Sequence, residues 1–256
     1  MLFHKPPKVI PNLTFNIKQH KIDYVDTFTF LGLIIDCQVT WKMHINSISG
    51  KISRVIGILH KLKHIFPPYI LKTLYNALIF PHLNYCLLAW GSNCEKVTIK
   101  QKKAIRIINL EFPTAHTEPL FKSMNQLKLS DLYTFKLLKL YYKLYRNLLP
   151  EYFENFLPLY GSSRYPLRYD GIHLPGATRE FCEINAKYQM HVLLREISHP
   201  FNATTCHYPI NPDDPPIETK ILSMSYRGFS NHVKLVFLES YIMECNVLNC
   251  INGCNN

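Results

Sequence analysis

After Asp36 the apolar residues change period, and this restricts the fold more than any other feature of the chain. Ile45, Ile48, Ile52, Val55, Ile56, Leu59 and Leu62 recur at spacings of three and four, the signature of one face of an amphipathic helix. Thr40 or a neighbour is expected to cap it. Pro67 and Pro68 end this helix and open another, with Ile70, Leu71, Leu74, Tyr75 and Leu78 on one side, until Pro81 interrupts. Short apolar pieces continue to Trp90, where Gly91 stops them.

The helical pattern continues downstream. Val97 to Leu110 predicts a helix buried through Ile99, Ala104, Ile107 and Ile108, and Pro119 to Met124 a shorter one. A long helix rich in tyrosine is expected from a Ser130 cap to Leu148, with Tyr133 to Tyr145 serving mainly as packing. Residues 161–216 read as irregular, apart from a helix or two between Thr178 and Ile197, with a Pro-rich loop from Phe201 to Pro216. A last helix is expected from Glu218 to Met243, with a break near Gly228.

Before the period changes, Leu13 to Ile17 alternates and Phe28 to Ile35 is a dense apolar run. Both read as strands, with Asp23 and Asp26 in a turn-rich stretch between them and Gly32 marking a bulge or a close backbone approach. The expected fold is therefore mainly α with a small N-terminal antiparallel β-sheet. It divides into a sheet-bearing segment 1–39, a helical bundle 40–160, a connector 161–216 and a C-terminal helix with a cysteine-containing tail 217–256. No repeat of solenoid period is present.

A chain of 256 residues with 47% apolar residues can bury a large core. Its formal charge of +11 is concentrated in one half. Up to Pro150 there are 21 Lys and Arg against 7 Asp and Glu; from Glu151 onward 8 stand against 11. Such a field gathers polyanions, nucleic acid foremost. Eight cysteines without paired spacing argue against a disulfide framework. With no signal-like start and no run of about 18 apolar residues, the expected location is intracellular, cytoplasmic or nuclear, without a membrane partner.

The string Thr29-Phe30-Leu31-Gly32-Leu33-Ile34-Ile35-Asp36, followed by Trp41 and His44-Ile45, resembles the segment just after the palm in non-LTR retrotransposon reverse transcriptases of the jockey-like and LINE-like kind. Leu74-Tyr75, Leu78-Ile79 before Pro81, Tyr85-Cys86, Trp90-Gly91, Gln101 to Arg106, Ala115-His116-Thr117 and Pro119-Leu120-Phe121 extend the likeness to about residue 160. The resemblance implies a truncated RNA-directed DNA polymerase, a palm remnant followed by a thumb. Phe30, Leu31 and Gly32 would form the primer grip, and the partners would be a template–primer duplex of RNA or DNA and the missing polymerase portion. The opening, with Phe3 already beside a Pro-bounded segment, reads as that of a fragment.

Two basic helix faces would serve such a duplex. Lys96, Lys100, Lys103 and Arg106 follow at spacings of four, three and three, and Arg54 and Lys61, with Lys51 and Lys63, give the earlier helix a second basic face. Cations in such a row can follow a phosphate backbone without reading bases. The same rows are also what the solvated side of any amphipathic helix looks like.

Polymerase chemistry needs carboxylates around magnesium, the cofactor implied for the intact family enzyme. Here only Asp23 and Asp26 precede the turn region, and Asp213-Asp214 lies among prolines in the wrong part of the chain. No catalytic residue and no resident cofactor is therefore assigned, and the chain alone is expected to be inactive. Cys245, Cys250 and Cys254, with His232 upstream, form a weak zinc candidate whose spacing departs from ordinary Cys-x2-Cys pairs. No nucleophile elbow or phosphate loop is present. Two other readings remain open, a host-adopted nucleic-acid-binding module and a helical protein-interaction domain.

Overall fold

The computed structural model describes residues 3, 15–18, 20–156, 186–198 and 217–241. Within them the chain is mainly helical, with two small antiparallel sheets near its start. β1 (Phe15–Ile17) pairs with β2 (His20–Ile22), and β3 (Thr27–Phe30) pairs with β4 (Leu33–Asp36). The run from Phe28 to Ile35 is thus a hairpin and not a single strand. Phe30 faces Leu33 across it, leaving Leu31 and Gly32 as a two-residue turn. Both have positive φ, 46° and 81°, the backbone of a type I′ turn, whose twist matches that of the flanking strands.

The helices follow in order: α1 (Lys42–Leu62), α2 (Pro68–Leu78), α3 (Phe80–Asn84), α4 (Leu87–Trp90), a 3-10 turn (Gly91–Asn93), α5 (Glu95–Ile108), α6 (Glu118–Ser123) and α7 (Leu129–Tyr145). Beyond a 3-10 segment at Glu151–Phe156 come α8 (Ala186–Ser198), α9 (Ile217–Ser223) and α10 (Tyr226–Glu239). α1 packs most extensively on α5, and α7 meets α4, α5, α8, α9 and α10. One apolar core runs from Trp41 to Tyr241, with Trp90, Tyr75, Phe121, Phe229 and Phe237 fully enclosed. The C-terminal helices therefore complete the bundle's core, and the expected irregular connector contains a helix, α8, that packs on α7.

Several local expectations are corrected. The residue before α1 is Trp41 and not Thr40; it lies in the left-handed region with no side-chain cap bond of its own, and the Thr40 hydroxyl accepts from the Lys42 amide at a long 3.5 Å. Asp36, at the end of β4, takes over the loop instead. Its carboxylate accepts from the amides of Gln38 (3.2 Å), Thr40 (2.8 Å) and Trp41 (2.9 Å) and from the Thr40 hydroxyl (3.1 Å). One carboxylate thus orders the loop up to Trp41, the residue before the helix. Ser130 is not the α7 cap, since that helix starts at Leu129, and it ends at Tyr145, short of Leu148. Leu78 and Ile99 are exposed, whereas Val97, Gln101 and Ile105 are buried. The last helical stretch breaks at Met224–Ser225, where the Ser225 hydroxyl accepts from the Gly228 amide at 3.2 Å and starts α10.

Candidate nucleic-acid interface

The turn Phe30–Leu31–Gly32 is exposed at the hairpin's tip, with Leu31 74% and Phe30 55% accessible. What holds it is a residue more than fifty positions away. The Tyr85 hydroxyl donates to the Leu31 carbonyl, and the Tyr85 carbonyl in turn accepts from the Trp90 indole at 2.9 Å. At the hairpin's other end, the Ile34 amide donates to His44 Nδ1 at 3.3 Å. His44 is buried edge-on between Trp41 and Trp90. Burial, then the nearby Lys51 charge, holds its pKa below the usual histidine value, in keeping with a neutral ring accepting at Nδ1.

Across α1 stands the basic ridge of α5. Lys96 donates to the Asn46 side chain at 2.6 Å. Lys100 and Lys103 follow one and two turns later on the same flank, with no hydrogen-bond or ion-pair partner among the described residues. Arg106 leaves the row. At about 100° per residue it lies roughly 120° around the helix from Lys100, and its Nε donates to the Ala115 carbonyl at 2.7 Å. That contact ties down the loop after α5, so Arg106 is a structural cation here. Arg54 and Lys61, seven residues apart, are exposed on the outer crest of α1. Lys51 belongs to another flank, where burial and then its charge depress the His82 pKa.

His44 and Asn46 are two residues apart, so they leave α1 on nearly opposite sides. The structure therefore does not close the turn and the lysine ridge into a single groove. It sets them on either side of the α1 crest, as the two flanks of a saddle. On the lysine flank, Gly50 and Gly57 are exposed, and a Cβ at either would meet nothing within 4 Å. They share with Asn46 the side of α1 that meets Lys96. The absence of side chains there lets a bulky polyanion come close to the helix backbone.

Sequence reasoning missed these glycines and also the strongest electrostatic signal. Between Asp36 and Glu111 the one carboxylate is Glu95, against eleven Lys and Arg. The positive field over α1 and α5 is thus almost uncompensated from within.

For metal chemistry the described carboxylates are a poor fit. Both oxygens of Asp36 are engaged by the loop, and no three His, Cys, Asp or Glu side chains gather among the described residues. Cys245, Cys250, Cys254 and Asp213-Asp214 lie outside the described residues. Among the described residues no helix is long and apolar enough to cross a membrane. Comparison of the chain with protein-family models, with curated proteins and with solved structures finds no match.

Proposed function

We propose that this chain is the part of a non-LTR retrotransposon reverse transcriptase that runs from the primer-gripping turn through the thumb. It holds a template–primer duplex by its backbone and carries none of the carboxylates that polymerise. The observation that supports this reading best is the nearly acid-free stretch from Asp36 to Glu111, whose cations line α1 and α5 beside exposed glycines. A duplex is about twice as wide as a helix, so one laid over the α1 crest reaches both flanks. There Lys100, Lys103, Arg54 and Lys61 meet phosphates, and the Leu31–Gly32 turn meets the primer end.

A second reading, docking to a separate polymerase portion, draws on the hairpin. Phe28 and Phe30 are more than half exposed on one face of β3, and among the described residues that strand pairs with β4 alone, leaving its other edge unpaired there. The two readings are compatible, since a thumb works attached to a palm.

The test is binding to a primer–template duplex over a range of salt. Replacing Lys100, Lys103, Arg54 and Lys61 by Ala should flatten the slope of log K against log salt by about 0.9 per residue, at every duplex sequence tried. Arg106→Ala should lower stability and leave the slope nearly unchanged. A wild-type affinity indifferent to salt contradicts the duplex reading and leaves a protein-interaction domain. Nucleotide incorporation by the purified chain with magnesium would contradict the absence of catalysis.

A further inference from the structure

A second acid-free stretch lies on α7, away from the saddle. From Leu132 to Pro150 the chain has no carboxylate, against Lys136, Lys139, Lys143 and Arg146. At about 100° per residue these four fall within an arc of about 80° on one face of the helix and span about 15 Å of its length. None of them has an ion-pair partner among the described residues.

The row is tied at its ends and free in its middle. Lys136 donates to the Asn84 carbonyl, and the Arg146 guanidinium to the carbonyls of Ile221 and Leu222, both at 2.9 Å. Those acceptors are neutral, so neither charge is cancelled. Between them Lys139 and Lys143 have no hydrogen-bond partner among the described residues. Their ammoniums lie 5.1 Å and 5.3 Å from the centroid of one ring, Tyr226, and Lys139 is also 5.1 Å from that of Phe135. The rings hold both side chains in place, which lowers the ordering cost of engaging a ligand. Like charges gathered in this way repel: burial and then the Lys139 charge push the Lys136 pKa down. An anion laid along the row relieves that repulsion.

The shape of the row selects among anions. Four cations in line suit a chain of phosphates better than a single small ion. The three lysines are half-buried beside aromatic rings, and α7 has no glycine to bring a broad duplex close, as α1 has. A slender, flexible strand can follow such a row and rest its bases on neighbouring rings. The row also begins beside the hairpin, because Asn84, which Lys136 grips, precedes Tyr85, whose hydroxyl holds the Leu31 carbonyl. A strand running past the Leu31–Gly32 turn is thus led onto α7.

We propose that this face of α7 is a second nucleic-acid track, which takes an unpaired strand by its phosphates. The path past the turn rests on the duplex reading; the affinity of the track for a strand does not. The probe is a fluorescein-labelled oligothymidylate, titrated with the full-length chain over a range of salt beside a blunt duplex.

Lys139→Gln with Lys143→Gln should lower the slope of log K against log salt for the single strand by about 1.4, at about 0.7 per lost contact, and weaken binding roughly tenfold at about 0.1 M salt. Duplex binding should change little. Lys139→Arg with Lys143→Arg keeps both charges and should keep the affinity within about twofold. An unchanged single-strand slope in the Gln pair would overturn the track. Equal losses on strand and duplex would overturn its preference for an unpaired strand, and displacement of the probe by poly-glutamate as readily as by unlabelled oligothymidylate would show a surface for acidic protein instead. Strand binding that needs Lys139 and Lys143 in a chain without affinity for duplex would support the track and sink the duplex reading alone.

Discussion

The β3–β4 hairpin and helix α5 flank the same helix and are held by opposite means. Phe28, Phe30 and Leu31 are each more than half exposed, and the hairpin joins the bundle through its hydrogen bonds to His44 and Tyr85 and the half-buried Leu33 and Ile35 of β4, with Asp36 fixing the loop that follows it. A two-stranded ribbon of this kind is marginal without such docking. Helix α5 buries Val97, Ala104, Ile105 and Ile108 in the common core. Damage to α5 should therefore unfold the molecule, whereas damage to the hairpin's anchors should free the hairpin alone.

The largest effect is expected at Gln101, a polar residue at the centre of the bundle. Its side-chain amide donates to Tyr75 OH and to the Leu127 carbonyl, both at 3.0 Å, and its oxygen accepts from the Leu129 amide at 2.9 Å. Burial, offset in part by the Gln101 contact, pushes the Tyr75 pKa up to about 12, so the phenol stays neutral. Gln101→Leu orphans three buried groups and should cost about 3 kcal/mol or more, read as a lower urea midpoint for all helices together. A loss below about 1 kcal/mol would break the contrast, since a central partner would then matter little.

A smaller effect is expected where the C-terminal helices dock. The Tyr241 hydroxyl donates to the Asp131 carboxylate and accepts from the Lys128 amide at 3.0 Å, and its ring lies 4.4 Å from the Lys128 ammonium. Tyr241→Phe leaves a buried carboxylate with one fewer donor and should cost about 2 kcal/mol. Amide exchange should quicken in α9 and α10 before it does in α1. Uniform quickening would show that these helices belong to the same cooperative unit as α5.

The same contrast explains what the sequence could disclose. The period of α1 and the Pro67–Pro68 boundary were legible because each depends on neighbours three or four residues away. Ile99 has the apolarity that predicts burial and is exposed, while the buried position on that helix belongs to Gln101, whose partners lie 26 and 28 residues distant. Asp36 binds the Thr40 hydroxyl and the amides before α1 because the end of a hairpin brings a carboxylate there, an effect that local capping rules do not contain. In the candidate interface the lysine row was legible as far as Lys103. Arg106 leaves it because the helix carries it round from Lys100 and because the loop after α5 folds back and offers the Ala115 carbonyl. Gly50 and Gly57 look like weak points of a helix until α5 is seen to leave the space above them open.

The Leu31–Gly32 turn sharpens the comparison from the hairpin's side. Leu31 holds φ of 46°, a conformation that disfavours a branched side chain and suits asparagine, the usual partner of glycine in a type I′ turn. Leu31→Asn should steady the hairpin by about 1 kcal/mol. Its amides should gain exchange protection while those of α5 do not change. Added protection throughout the bundle would show that hairpin and bundle fold as one.

The smallest effect is a pH dependence confined to the hairpin. His44 accepts from the Ile34 amide only while Nδ1 is unprotonated, and burial followed by the Lys51 charge lowers its pKa. The unfolded or undocked residue, with a pKa near 6.5, then binds protons that the docked one refuses. Docking is therefore fully favoured above about pH 6.5 and is lost progressively as the pH falls toward the depressed value. His82, also depressed by burial and then by Lys51, titrates in the same direction, so the variant His44→Gln is needed to separate them. Hairpin amide protection, corrected for intrinsic exchange, should fall between about pH 7.5 and 5 in the wild type and stay level in His44→Gln. A wild-type loss on raising the pH would mean that the imidazolium, not the neutral ring, holds the strand, and the Ile34 amide would then need an acceptor other than His44.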